Sequence, residues 1–111
     1  MAEIKLSKDE TATYDIQKDG GKVEKETKPI RELEIALLKS VFSAAFTIEK
    51  ELKKSILARD LYEQIENLTD EDELLKLTTE DLQIFKTGWE AFEKQRPGIW
   101  MKCGALLKQL V

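Results

Sequence analysis

The stretch Leu77-Thr78-Thr79-Glu80-Asp81-Leu82 decides the fold, because it writes a helix start twice over. Thr78 stands at the N-cap, and Asp81 follows at the third helical position, where an acidic side chain can reach back to the capping residue. Leu77 and Leu82 flank the cap as the two halves of a hydrophobic staple. Glu80 and Asp81 also meet the positive end of the helix dipole. The helix begun here carries Leu82, Phe85, Trp89 and Phe92 on one stripe. Gly88 within it costs about 1 kcal/mol of helix propensity against alanine, which predicts a close backbone crossing or a bend at that point. Arg96-Pro97-Gly98 ends the helix. Pro97 admits a last helix with Ile99, Cys103, Leu106 and Leu110 on one face and Trp100 and Leu107 beside it.

Upstream, Pro29 marks the point where a polar composition stops. Ile30, Leu33, Leu37, Val41, Ala44 and Ile48 then step by three or four residues, with Leu38, Phe42 and Ala45 widening the stripe and Phe46 filling space beside it. Leu52, Ile56, Leu57, Leu61 and Ile65 continue at helical spacing beyond a break expected between Thr47 and Glu51, although one bent helix fits the same pattern. Asn67-Leu68-Thr69-Asp70 closes this segment, and Thr69 caps a short turn through Asp72. Residues 1–28 differ, being polar, with thin alternation at Ile4 and Leu6 and at Tyr14 and Ile16, and an Asp19-Gly20-Gly21 step. They predict either a flexible arm or a β-hairpin. The expected fold class is mainly α, a small bundle of roughly three to five helices over residues 29–111, preceded by that arm.

A chain of 111 residues suits one domain with a modest core. Charged residues make up 36% of it, with 22 acids against 18 bases interspersed for a net charge of -4, so no basic footprint for nucleic acid stands out. No apolar stretch reaches the roughly 18 residues of a membrane span, and no leader pattern opens the chain, so a soluble, cytoplasmic protein is expected. Histidine is absent and Cys103 is the one cysteine, which removes imidazole acid-base chemistry, Ser-His and Cys-His nucleophile pairs and imidazole zinc sites. Cys103 falls on an apolar stripe and reads as a small core residue.

Other chemistry fails on detail. The acidic run Asp70-Glu71-Asp72-Glu73 would need glycine and glutamate where a calcium loop begun at Asp70 has Leu75 and Asp81. No carboxylate pair sits in an apolar context, and Gly20-Gly21 lacks the ending of a phosphate loop. Lys50, Lys53, Lys54 and Arg59 are interleaved with Glu49, Glu51, Asp60 and Glu63, a pattern of helix-stabilising pairs. No cofactor, metal or catalytic residue is expected. The aromatic set Phe85, Trp89, Phe92 and Trp100 reads first as core, with Trp100 as an exposed anchor for a protein partner, flanked by Arg96 and Lys102.

The order of these signals from Ile30 to Val111 resembles a group of small helical proteins of bacteriophage and prophage genomes. The resemblance rests on Ala36-Leu37-Leu38, on Leu57-Ala58-Arg59-Asp60-Leu61-Tyr62, on the cap from Leu77 to Asp81, on Ile84-Phe85-Lys86 and on the segment Pro97 to Leu110. Residues 1–29 and 70–76 depart from it. It implies no catalytic residues and no small-molecule substrate. The functional expectation is a noncatalytic protein-interaction module, a phage-encoded adaptor or inhibitor of a host protein, with a structural or assembly component of a virion or other homo-oligomer as the alternative. Nucleic-acid binding ranks below both.

Overall fold

The computed structural model describes residues 2–93 and 98–110, so Arg96 and Pro97 and the side chain of Ile99 lie outside the described residues. The chain is mainly helical. Its elements run β1 (Ala2–Lys5), β2 (Thr11–Gln17), β3 (Val23–Pro29), α1 (Ile30–Ile48), α2 (Leu52–Glu66), β4 (Leu74–Leu77), α3 (Thr79–Glu93) and α4 (Gly104–Leu110). A 3-10 helix over Gly98–Cys103 precedes α4, so the last helix expected beyond Pro97 is divided, with a poor helix former, Gly104, at the change.

The spine is α1, which buries Leu33, Leu37, Leu38, Val41, Phe42 and Ala45. It ends at Ile48, and residues 49–51 turn the chain into α2, so the expected break is present and the two segments are not one bent helix. The pair is an antiparallel hairpin. Ser55 near the start of α2 donates to the Glu49 carbonyl at 3.2 Å at the end of α1. Near the other end of α2, the Lys39 ammonium lies 5.4 Å from the Tyr62 ring centre and 3.5 Å from the Glu66 carboxylate. Ala58, Leu61 and Ile65 are the face that α2 buries.

The cap that opens α3 forms as read. The Asp81 N–H donates to Thr78 Oγ1 at 3.1 Å, and the Thr78 N–H donates to Asp81 Oδ2 at 2.9 Å. Leu77 is fully buried beside it, while Leu82 is half-buried against the core. Gly88 compensates its helix cost by contact. A Cβ there would overlap the Val41 carbonyl oxygen and meet the Ala45 Cβ at 3.0 Å, so α3 crosses α1 with backbone against backbone. Above the crossing, the Phe85 ring meets Phe42 edge-on with centroids 6.0 Å apart.

Of the two forms open to the N-terminal residues, the hairpin is the one adopted. β2 and β3 pair antiparallel from Thr11↔Pro29 to Gln17↔Val23. Gly20 and Gly21 make the turn at φ of 84° and 78°, a region where side chains are strained. Most of this ribbon is exposed. Residues 2–7 behave differently, because β1 pairs antiparallel with β4 from Ala2↔Leu77 to Lys5↔Leu74. Ile4 and Leu6 thereby join the same core as Leu75 and Leu77. The division of the core thus falls within the polar segment and not at residue 28. The outer edge of β1 is closed by α4, whose Gln109 amide accepts from the Lys5 N–H at 2.7 Å and donates to the Lys5 carbonyl at 2.9 Å. One side chain there does the work of a neighbouring strand.

Two substitutions test this packing. Gly88→Ala forces α3 off α1 and lowers unfolding free energy by about 1–3 kcal/mol in urea titration, where alanine in an open helix position would raise it. Ile4→Ala lowers it by about 2–5 kcal/mol, the cost of a cavity in the core, and a negligible loss would return residues 2–7 to the status of an arm.

Candidate functional site

Trp100 sits in the 3-10 helix between α3 and α4, and the structure half-buries it instead of presenting it as an exposed anchor. Its ring is the outermost of a series of aromatic contacts, Phe85 to Trp89, Trp89 to Phe92 and Phe92 to Trp100, with centroids 6.0–6.1 Å apart. Its indole Nε1 is buried with no hydrogen-bond partner among the described residues. Packing against an aromatic neighbour outweighs exposure here, since a large ring hides more apolar area than any other side chain available at this end. Lys102 is exposed, and Met101 between them is 82% exposed.

The interior holds one group that the sequence does not reveal. Glu34, on α1, is almost fully buried. Its two oxygens accept from the Ser7 N–H at 2.7 Å and the Ser7 hydroxyl at 3.1 Å, which ties the segment after β1 to the spine. Burial pushes the Glu34 carboxyl above its ordinary value, opposed by the Ser7 hydrogen bonds. Cys103 is buried near it, and burial, with Glu34 adding to it, pushes its thiol up to about 11. At neutral pH that side chain is therefore a protonated thiol and a poor nucleophile. An open groove of about 850 Å³ lies over this region, lined by Lys5, Ser7, Lys8, Glu73, Lys108 and Gln109 among others. Its charges answer one another, with Lys8 Nζ 2.9 Å from the Glu73 carboxylate. Among the described residues, no three metal-ligating side chains converge.

The acidic turn expected at Thr69 also forms, with the Thr69 N–H donating to Asp72 Oδ2 at 2.9 Å. Arg31, in the first turn of α1, donates to the carbonyls of Asp72 and Thr69 and so holds the approach to β4. These acids have structural work to do.

The largest departure from the sequence reading is at the corner between α1 and α2. Phe46, Ile48, Leu52 and Ile56, all counted toward buried stripes, are 48%, 44%, 75% and 42% exposed. The reason is helical phase. Leu52 and Leu61 are nine residues apart, as are Ile56 and Ile65, which is two and a half turns, so the two pairs point to opposite sides of α2. Leu61 and Ile65 win the core, and Leu52 and Ile56 are left at the centre of the outward face. The signal was the interruption of the outer stripe by Arg59 and Asp60 one turn further on. Lys54 pairs with Glu51 at 3.4 Å at the expected spacing of three, whereas Arg59 pairs with its sequence neighbour Asp60 at 3.5 Å, which is not a helix-stabilising spacing. Lys50, Lys53 and Glu63 make no ion pair among the described residues.

Comparison of the chain with protein-family models, with curated proteins and with solved structures gave no match. Among the described residues, no helix is long and apolar enough to cross a membrane.

Glu34 gives the fold a testable pH dependence. Because its folded value is raised from 4.5, the folded state holds a proton that the unfolded state has released, and stability falls as pH rises through that window. Glu10, Asp72 and Glu73, held below their ordinary values by the hydrogen bonds they accept, act in the opposite sense. Comparison with Glu34→Gln cancels them. In urea titrations from pH 4.5 upward, the parent loses stability relative to Glu34→Gln and then levels off. A constant difference across that range would show that Glu34 titrates as it does in the unfolded chain.

Proposed function

We propose that the chain is a noncatalytic protein-interaction module, an adaptor or inhibitor that works by covering part of another protein. The observation that carries this is the exposed pair Leu52 and Ile56, one turn apart on α2, with Phe46 and Ile48 also exposed at the end of α1, in a chain whose other large apolar side chains mostly reach the core. Contiguous exposed apolar surface with a polar rim is the mark of a protein-binding face. The rim here is Lys50, Lys53, Glu49 and Glu51. The half-buried Trp100 with the exposed Met101 and Lys102 is a second candidate contact, on the 3-10 helix, and Arg96, grouped with them from the sequence, lies outside the described residues. The resemblance to phage and prophage proteins supports a phage-encoded product of this kind, and the helical hairpin of α1 and α2 is the part of the bundle that presents the face. Assembly with itself, as in a virion or other homo-oligomer, is the second reading.

The test is retention of partners by the tagged protein from nuclease-treated bacterial lysate. Leu52→Ser/Ile56→Ser should stay folded with only a small drop in melting temperature, because Leu52 is mostly and Ile56 partly exposed, and should lose the retained protein. Retention that survives this double substitution but fails in Trp100→Ala would transfer the contact to the 3-10 helix. Retention unaffected by either removes the reading.

A further inference from the structure

We propose that β2 pairs antiparallel with β2 of a second copy of this chain, so that two ribbons join into one four-stranded sheet across a two-fold axis at Tyr14. The proposal rests on the second reading above, self-assembly, and uses neither the α2 face nor the 3-10 helix. The backbone supplies the first observation. The Ile30 N–H donates to the Glu10 carbonyl at 2.8 Å and the Lys18 N–H to the Lys22 carbonyl at 2.7 Å, which fixes the alternation of the ladder between these ends. Ala12, Tyr14 and Ile16 therefore bond to β3, while Thr11, Thr13, Asp15 and Gln17 turn their N–H and C=O groups away from it, where they find no partner among the described residues.

Open edges invite pairing with another chain and are ordinarily blunted by lysine, proline, shortness or a cover. The other strand edges of this protein are blunted. Gln109 occupies the outer edge of β1, and β4 has four residues and carries Lys76. β3 carries Lys25 and Lys28, and its Pro29, in the outward-pointing series, has no N–H to offer a neighbour. β2 alone has none of these devices: Thr11-Ala12-Thr13-Tyr14-Asp15-Ile16-Gln17 is seven residues long, with no lysine, no proline and one charge. The body lends the ribbon little support, since Ala12 is its one buried side chain, and two strands alone are marginal in water.

A second copy is the occupant because β2 complements itself. Tyr14 is its middle residue, so a two-fold axis there pairs the whole strand: Thr11 with Gln17, Ala12 with Ile16, Thr13 with Asp15, and Tyr14 with its counterpart. The pairs that exchange hydrogen bonds are then Thr11 with Gln17 and Thr13 with Asp15, the residues whose groups point outward, and each group finds a partner. On one face Ala12, Tyr14 and Ile16 of both copies make a continuous apolar strip, in which Ile16 near one ribbon's tip lies beside Ala12 at the other's base. On the other face a row runs from Lys25 to Asp15 and on to Thr13 and Thr27 of the copy. Asp15 there lies between a cation and the Thr13 hydroxyl, which is free to donate to it while accepting from Thr27, 2.8 Å away. Like charges are nowhere opposed along β2. An axis at Asp15 would oppose two carboxylates, and one at Thr13 would set Ile16 against Glu10.

The experiment is sedimentation equilibrium of the full chain over a wide concentration range, with the folding of each variant followed by circular dichroism. The parent is expected to form a dimer and nothing larger. Thr13→Pro removes an outward N–H without touching the bonds to β3, as Pro29 does on the other strand, and should leave a folded monomer. Thr13→Asp opposes Asp15 of the copy at two symmetric places and should raise the dimer dissociation constant by about tenfold. Adding Asp15→Asn to it should restore the parent's value, which mere damage to the ribbon would not allow. Tyr14→Cys reads the register: it should form a disulfide-linked dimer under mild oxidation, whereas Thr13→Cys, offset by two residues from its counterpart, should not. The buried Cys103 does not compete. A dimer that survives Thr13→Pro overturns the proposal, and if that dimer is lost in Leu52→Ser/Ile56→Ser, self-assembly stands with its contact on α2. Open-ended association also overturns it, and a parent that stays monomeric at every concentration removes the proposal and the self-assembly reading together.

Discussion

The backbone of α3 lies directly on the carbonyl of Val41 because residue 88 has no side chain, and much of the helical packing follows from that contact. It brings α3 close enough for Phe85 to meet Phe42 at the centre of the core. From there the rings of Trp89, Phe92 and Trp100 continue outward in near-contact, so the position of the 3-10 helix is set from the crossing point. Beyond it, Cys103, Leu106 and Leu110 return to the core, and Gln109 reaches the edge of β1. A methyl group at position 88 would disturb this sequence at its origin. The small size of the residue is what the structure depends on, since nothing about its backbone conformation is unusual.

The second constraint is the strand pair that closes the core from the other side. Two four-residue strands, β1 and β4, would not hold together alone in water. They hold because Ile4, Leu6, Leu75 and Leu77 turn toward the helices, and because each approach is anchored to the first turns of α1. Arg31 holds the carbonyls before β4, and Glu34 holds the amide and hydroxyl of Ser7 after β1. Burying a carboxylate is expensive, and the two hydrogen bonds offset only part of the cost. The residual cost is visible as the raised proton affinity of Glu34; that of Cys103 is raised first by its own burial and further by Glu34.

What could be read from the sequence was local. The Thr78–Asp81 cap depends on residues within one turn and was legible outright, whereas the turn at Asp19-Gly20-Gly21, the close approach at Gly88 and the break between Thr47 and Glu51 were each one of two readings that the local sequence left open. The pairing of Ile4 with Leu75 could not be read so, because alternation at Ile4 and Leu6 names no partner and the partner is most of the chain away. Glu34 was hidden for a different reason: Glu32 and Glu34 lie on opposite sides of α1, but a carboxylate beside the apolar stripe reads as its solvated edge, and only the arrival of Ser7 supplies the partner that lets it be interior. At the candidate site the limit was ambiguity of phase. A helix with Leu52 and Ile56 on one side and Ala58, Leu61 and Ile65 on the other offers two apolar faces, and periodicity alone cannot say which meets α1. Trp100 was legible as aromatic and near the surface, but its burial depended on where Phe92 would lie.

The same ambiguity bears on function. A sequence that specifies one structure has its local preferences in agreement with its packing, and places where they disagree mark surfaces with a further demand on them. As an isolated chain, this protein would gain from polar residues at 52 and 56 and from exchanging the signs at the two ends of α2. It departs from that optimum twice within a single helix, by different physical terms, one hydrophobic and one electrostatic. The Lys39 contacts with Tyr62 and Glu66, and the buried stripe of Ala58, Leu61 and Ile65, keep α2 in place despite its unfavourable charge order. Stability of the fold therefore does not require Leu52, Ile56 or the free Lys53 and Glu63.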